Sequence, residues 1–305
     1  MTAIGIAGVD RFTAKAGTRR QAHAPSLVAT PGAAAGWLLL RRAIRLLSIG
    51  LYAGFFLLPI AFLVTLTFKT RDEVLLGQFL TSKPTLENWW RAFQFINLTG
   101  FIGHSLAIAC VSAAVTLIVA TPATYAVARL RHGEFVGSFA LSSFIPPPVV
   151  ALLPLFFLMR WLGLLNTFAG MIVVYAFMNA PVAYWLLRGF VKKIPAALDE
   201  AAWIDGAGFA KTFFVINLPL LAPGVVATGL ICLILSYNEF LFASLFAQDD
   251  SVRGLTVAIS LFQGDRFVNF GQMAVASIAG ILPIYLIAFV FQNRLVGGLV
   301  AGSEK

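Results

Sequence analysis

The chain has 305 residues, 59% hydrophobic and 11% charged, with a mean hydropathy of +0.88 and a formal net charge of +9. Soluble domains hold about 45–50% apolar and about 25% charged residues, so this composition cannot cover a water-exposed surface and points to lipid as the solvent. The basic residues are spread between apolar runs rather than massed on one polar face, which argues against a nucleic-acid-binding surface.

Residues 1–36 are rich in Ala, Thr, Gly and Arg and show no apolar periodicity. They read as a disordered, basic cytoplasmic extension, with a transmembrane domain expected over 37–305. Arg19-Arg20 is not followed by an apolar run, and the first apolar stretch is longer than a signal core, so no cleaved leader is expected. A spanning helix needs about 20 apolar residues. Six runs qualify, near 44–68, 102–128, 135–158, 168–190, 224–246 and 272–295. Between the first two, Trp89 and Trp90 suit an outer interfacial anchor or a periplasmic helix, with contact to a binding protein as a further reading. His104 at the start of the second run has no Cys, Asp or Glu cluster around it, so no metal site is expected. Cys110 and Cys232 fall inside apolar runs and read as small packing residues rather than a disulfide framework.

The third and fourth runs are interrupted by Pro146, Pro147 and Pro148, and by Asn179 with Pro181. Such breaks are stable in a membrane only against protein or a water-filled cavity. These two spans are therefore expected to bend and to face the bundle interior. With the N-terminus inside, 15 of the 22 Lys and Arg fall on inner segments, which orients both termini to the cytoplasm.

Residues 191–223 form a long inner loop. Pro195 suits a helix start, Asp199 and Glu200 lie near the positive end of its dipole, and Ala196, Ala197, Ala201 and Ala202 are strong helix formers. Asp205-Gly206 should break that helix. A second short helix is expected from Ala207 to Asn217, ending before Pro219. Two readings fit the hairpin: an interfacial anchor at the headgroups, or an Ala-rich face that docks into a groove on a partner.

Glu239, in the fifth run, is the acid placed well inside a span. An ionised carboxylate costs about 2.5–3.5 kcal/mol at the bilayer centre. It either lines a pathway or gate, or lies near the outer end of its helix and pairs with a neighbour. Asn238 is positioned to bond across helices. The sequence has no G-x-x-x-x-G-K-[ST] phosphate loop and no nucleophile–base set, so no enzyme activity and no cofactor are expected of it.

Glu200-Ala201-Ala202, Asp205-Gly206-Ala207 and Ile216-Asn217-Leu218-Pro219-Leu220 with Pro223 resemble the EAA loop of ABC-importer permeases. Gly163-Leu164-Leu165-Asn166-Thr167, Tyr237-Asn238-Glu239-Phe240 and Gly298-Leu299-Val300-Ala301-Gly302 are similar to the carbohydrate branch, and in particular to the maltose-type second permease. Relatives often carry Trp in place of Tyr237, and the final Ser303-Glu304-Lys305 departs from their tail. The likeness covers about residues 40–305. It implies an all-α integral membrane protein with six transmembrane helices in the MetI-like, type I importer fold, in a bacterial inner membrane. It implies that Glu200, Ala201, Ala202, Asp205, Gly206, Ala207, Leu218 and Pro219 couple to an ATPase. Tyr237, Asn238, Glu239 and Asn179 are the pathway candidates. The implied partners are a second permease subunit, two ATPase subunits that bind the ATP, an extracytoplasmic solute-binding protein, a sugar and membrane lipid. Importers of glycerol phosphate or polyamine share the EAA loop. A gradient-driven secondary transporter is the rival class, but it usually needs more intramembrane ionisable groups than Glu239 alone.

Overall fold

The computed structural model describes residues 31–95, 97–129, 133–142, 146–262 and 268–303, and the elements among them are all helical. The first is α1 (Pro31–Thr67). Most of the expected disordered extension lies outside the described residues. From Pro31 onward, however, the chain is already helical, because proline suits a first helical position and Ala33, Ala34 and Ala35 are strong helix formers. The chain has two compact units, Met1–Leu57 and Leu58–Lys305. In the first unit, the described side chains from Leu39 to Tyr52 are all exposed: Arg41, Arg42 and Arg45 near the start, then a mainly apolar run from Leu46 suited to lipid.

The second unit continues through α2 (Arg71–Leu75), α3 (Glu87–Phe95), α4 (Leu98–Arg129), α5 (Gly133–Ser142), α6 (Pro148–Trp161) and α7 (Phe168–Val191). It then runs through α8 (Ala196–Ile204), α9 (Phe209–Lys211), a π-turn (Thr212–Asn217), α10 (Leu218–Tyr237), α11 (Leu241–Phe246), α12 (Leu255–Ser260) and α13 (Phe270–Ser303). Helices α4, α7 and α10 pack together at its centre, and α13 packs on α10 and α3. Along the middle of α4, small and hydroxylated residues dominate the buried face: Ser105, Ala109, Ser112, Ala113, Thr116 and Ala120, with Ile108 among them. Lipid gives apolar helices little reason to associate, so close backbone approach and interhelical hydrogen bonds do that work instead.

Five described helices are long and apolar enough to span: Leu39–Thr67, Leu98–Arg129, Phe168–Val191, Phe209–Tyr237 and Phe270–Phe291. The third expected span is divided into α5 and α6, with the proline cluster at the division. Pro147 and Pro148 lack the N–H that would continue a helix, but Pro148 fits the first turn of a new one. By contrast, α7 runs unbroken through Pro181, with Met171, Val174, Tyr175, Asn179, Ala183 and Leu187 buried, so it faces the interior as expected.

The fifth span is displaced from its expected position. It begins in the polar loop, at Phe209, and stops at Tyr237 rather than reaching residue 246. The helix expected to end before Pro219 instead continues through it. Widening to a π-turn over Thr212–Asn217 leaves the hydrogen-bond ladder short at that point, and a residue without an N–H is accommodated there.

One carboxylate organises the segment between α1 and α3. Glu73 accepts from the Thr81 hydroxyl (2.8 Å), the Ser82 amide and hydroxyl (both 2.7 Å), and the Lys83 and Thr70 amides (both 3.1 Å). Lys69 lies over the Phe62 ring, 4.7 Å from its centroid, and donates to the Gln78 carbonyl. Asn88 donates to the Thr67 (3.2 Å) and Lys69 (2.8 Å) carbonyls, groups the end of α1 leaves open. The Ser82 hydroxyl above all, with the other donors against the cost of burial, holds the Glu73 carboxyl far below its ordinary 4.5.

The folded loop thus favours the charged form. Its stabilisation is complete above pH 4.5 and fades as the pH falls below that value, because protonation then favours the opened loop. Amide exchange at Ser82 and Lys83, corrected for intrinsic pH effects, should accelerate below that pH. Glu73→Gln should show the accelerated exchange already at pH 7. Equal protection in both proteins at pH 7 would refute the role of the carboxylate.

Candidate functional site

The polar loop forms two helices around a glycine elbow. Helix α8 ends where Gly206 adopts φ +82°, a left-handed conformation that favours glycine. A Cβ built at Gly206 meets nothing within 4 Å. The elbow thus has open space beside it.

The faces of α8 separate cleanly. Asp199 and Ala202 are buried, whereas Glu200, Ala201, Trp203, Ile204, Asp205 and Gly206 are exposed. Phe209 adds a further exposed apolar group beyond the elbow, and Ala207 is half-buried. Of the residues expected to couple, Ala202 thus packs inward, and Leu218 packs against the cluster of Tyr125, Val191, Ile194, Phe213 and Leu221. Pro219 is exposed.

Beneath α8 lies a buried polar cluster that sequence reasoning missed. Arg129 Nε lies 2.6 Å from Asp199 Oδ2, with side-chain exposures of 13% and 2%. Asp199 Oδ1 accepts from Asn217 Nδ2 (2.6 Å) and from the Tyr125 hydroxyl (3.1 Å). Arg129 also donates to the Ile194 carbonyl (2.9 Å), closing the turn between α7 and α8. The Tyr125 ring packs 5.1 Å from both Phe209 and Phe213. A signal was present: Asp199 and Ala202 are three residues apart, on one face, and Tyr125 and Arg129 are four apart. The sequence reading treated Asp199 only as a charge near a helix start.

The pathway candidates have different surroundings. Asn179 is buried and donates to the Ser236 hydroxyl (2.8 Å), which in turn accepts from Ser112 (3.1 Å), linking α7, α10 and α4. Tyr237 is buried and donates to the Gly280 carbonyl (2.7 Å), tying α10 to α13. Asn238 is exposed and bonds to Ile234 of its own helix (2.8 Å) rather than across helices. Glu239 lies just beyond α10. Its carboxylate accepts from the Phe242 and Ala243 amides (3.0 and 3.1 Å), capping α11, and from the Tyr175 hydroxyl (3.0 Å). Glu239 and Tyr175 also line a cavity with Ser105, Ser236 and Thr256.

Elsewhere, Gly163 and Asn166 both take positive φ, at 69° and 53°. The Asn166 side chain accepts from the Gln248 (2.7 Å) and Asp249 (3.2 Å) amides, and Thr167 caps α7. This explains the residue types in that motif. His104 Nδ1 lies 3.2 Å from the Arg253 carbonyl, and its ring meets Phe168 edge-on. Cys232 is buried, but Cys110 lies on an exposed face of α4 rather than in the core. In α3, Trp90 is exposed and Trp89 partly buried.

Residues 134–299 match the model of the family described as binding-protein-dependent transport system inner membrane component. The chain belongs to this family. The permease is 34% identical to the sulfoquinovosyl glycerol transport system permease protein of Agrobacterium fabrum, covering 85% of this chain and 91% of that one. It is 33% identical to the trehalose/maltose transport system permease protein of Thermococcus litoralis, over 88% and 98% of the two chains. Its fold is also similar to a crystal structure of a bacterial ABC transporter involved in the import of alginate. There the TM-score is 0.70 at 19% identity, covering 83% of the permease and 96% of that chain.

Removing the Glu239 carboxylate leaves the Tyr175 hydroxyl and two α11 amides without their acceptor. Glu239→Ala should lower the stability of the solubilised permease by about 1–3 kcal/mol. Glu239→Gln, which keeps one accepting oxygen, should lose less. Chemical denaturation in detergent measures both, and wild-type stability in Glu239→Ala would show the cap to be dispensable.

Proposed function

We propose that this permease carries a sugar into the cytoplasm as one half of a membrane pore, beside a second permease subunit. Two ATPase subunits bind and hydrolyse the ATP, and an extracytoplasmic binding protein delivers the solute. The relatives named for sulfoquinovosyl glycerol and for trehalose or maltose support the sugar class. The excess of Lys and Arg on the inner segments supports cytoplasmic termini.

The observation that carries the reading is the exposed face of α8 and its elbow. Trp203 is 45% and Ile204 86% exposed, beside the exposed acids Glu200 and Asp205. An apolar patch rimmed by charge at a glycine elbow has the character of a protein-docking surface. In this reading the ATPase clasps that face. ATP-driven closure then draws the loop with it and turns the pore from inward-open to outward-open.

The test is uptake of labelled mono- and disaccharides into liposomes holding the permease, its partner permease and the ATPase, with binding protein outside and ATP inside. One sugar should enter, and only with ATP. ATP hydrolysis stimulated by a binding protein loaded with another solute would keep the importer and discard the sugar. An ATPase that never associates would refute the coupling reading.

Gly206→Asp sharpens the test. A Cβ added there meets nothing within 4 Å, and its left-handed backbone costs about 1–2 kcal/mol. The protein should therefore reach the membrane at near-normal levels while uptake falls at least tenfold. Gly206→Ala isolates the backbone cost and should retain more uptake. Wild-type uptake in Gly206→Asp would exclude docking at the elbow.

A further inference from the structure

Asp199 occupies a different position from the other acids of the loop. Glu200 and Asp205 are exposed, whereas Asp199 is 1% exposed and points into the protein. Every partner it has comes from another element. Arg129 and Tyr125 end the span α4, and Asn217 closes the π-turn inside the fifth span, directly before α10.

A buried carboxylate is stable only with its charge compensated and its lone pairs occupied. Here the guanidinium supplies the charge, and the hydroxyl and the amide supply the hydrogen bonds. Apolar surfaces slide past one another at little cost, but an ion pair with two directional hydrogen bonds has one favourable arrangement. The apolar cluster of Tyr125, Val191, Ile194, Phe213 and Leu221 surrounds this arrangement.

The π-turn is part of the same construction. Asn217 is fully buried and donates to the Thr212 carbonyl (3.2 Å) as well as to Asp199. In the wider turn a residue and the one five positions before it come into register. This brings Asn217 onto the side of the helix that faces Asp199 and leaves Phe214 and Val215 on the exposed side.

We propose that Asp199 is the positioning residue that makes α8 move as one body with the adjoining ends of α4 and α10. A displacement imposed on the exposed face of α8 then reaches two spans through Arg129, Tyr125 and Asn217. Without the carboxylate, α8 can follow a partner while the spans stay behind. The inference rests on the reading of α8 as the ATPase-docking element.

The test measures sugar imported per ATP hydrolysed in the reconstituted complex, together with co-purification of the ATPase. Asp199→Asn keeps the shape of the side chain and removes its charge, leaving Arg129 uncompensated. The ATPase should still co-purify, because the exposed face is untouched, and the import-to-hydrolysis ratio should fall about tenfold or more. Tyr125→Phe removes one hydrogen bond and keeps the ring against Phe209 and Phe213, so it should lower the ratio by a smaller factor with normal membrane levels.

A purely structural role would reduce assembly, or reduce import and hydrolysis in proportion, and leave the ratio intact. That result in Tyr125→Phe overturns the proposal even if Asp199→Asn fails to assemble. If the wild-type permease couples normally and both variants keep its ratio, only this inference falls. If the wild-type permease never binds the ATPase, the docking reading falls and takes this inference with it.

Discussion

In a protein whose outer surface is apolar, hydrophobic burial cannot decide how connecting segments sit, because lipid is as good a solvent for leucine as a neighbouring helix. A polar group withdrawn from water has no such freedom and must find partners inside the chain. Three carboxylates exploit that constraint. Glu73 gathers the segment between α1 and α3, Glu239 holds α11 against Tyr175 of α7, and Asp199 joins α8 to α4 and α10. Each sits beside a break in regular structure, where local helix bonds are missing. The spans between them are tied by smaller groups in the same way, as in the Ser112–Ser236–Asn179 chain.

The membrane class was legible from composition, and four spans from apolar run length, because both depend on solvent alone. The glycine elbow was legible too, since few residues other than glycine adopt φ +82°. The continuation through Pro219 and the end of α10 at Tyr237 each turn on how the backbone ladder is completed locally. The π-turn changes what a proline can do there, and nothing in the sequence marks a π-turn.

Side-chain direction was the other gap. Asp199 and Glu200 are adjacent acids, and the sequence gives no reason to send one inward and the other outward. The difference comes from Arg129, which is 70 positions away in the chain but only 2.6 Å from Asp199 in space. Asn238 shows the converse. Its place in a conspicuous motif suggested a contact across helices, yet it turns outward and bonds within its own helix. Family resemblance singled out the segments, and packing decides which way each residue within them faces.

The three acids of the loop also sit in different electrical surroundings. Mobile ions screen charges in water over about 8 Å at physiological strength, and screen buried pairs far less. Contacts made by the exposed Glu200 and Asp205 therefore weaken as salt rises, while the sheltered pairing of Asp199 with Arg129 weakens far less. In the proposed docking, the hold on the ATPase would thus respond to the surrounding ionic strength, and the linkage behind it would respond much less.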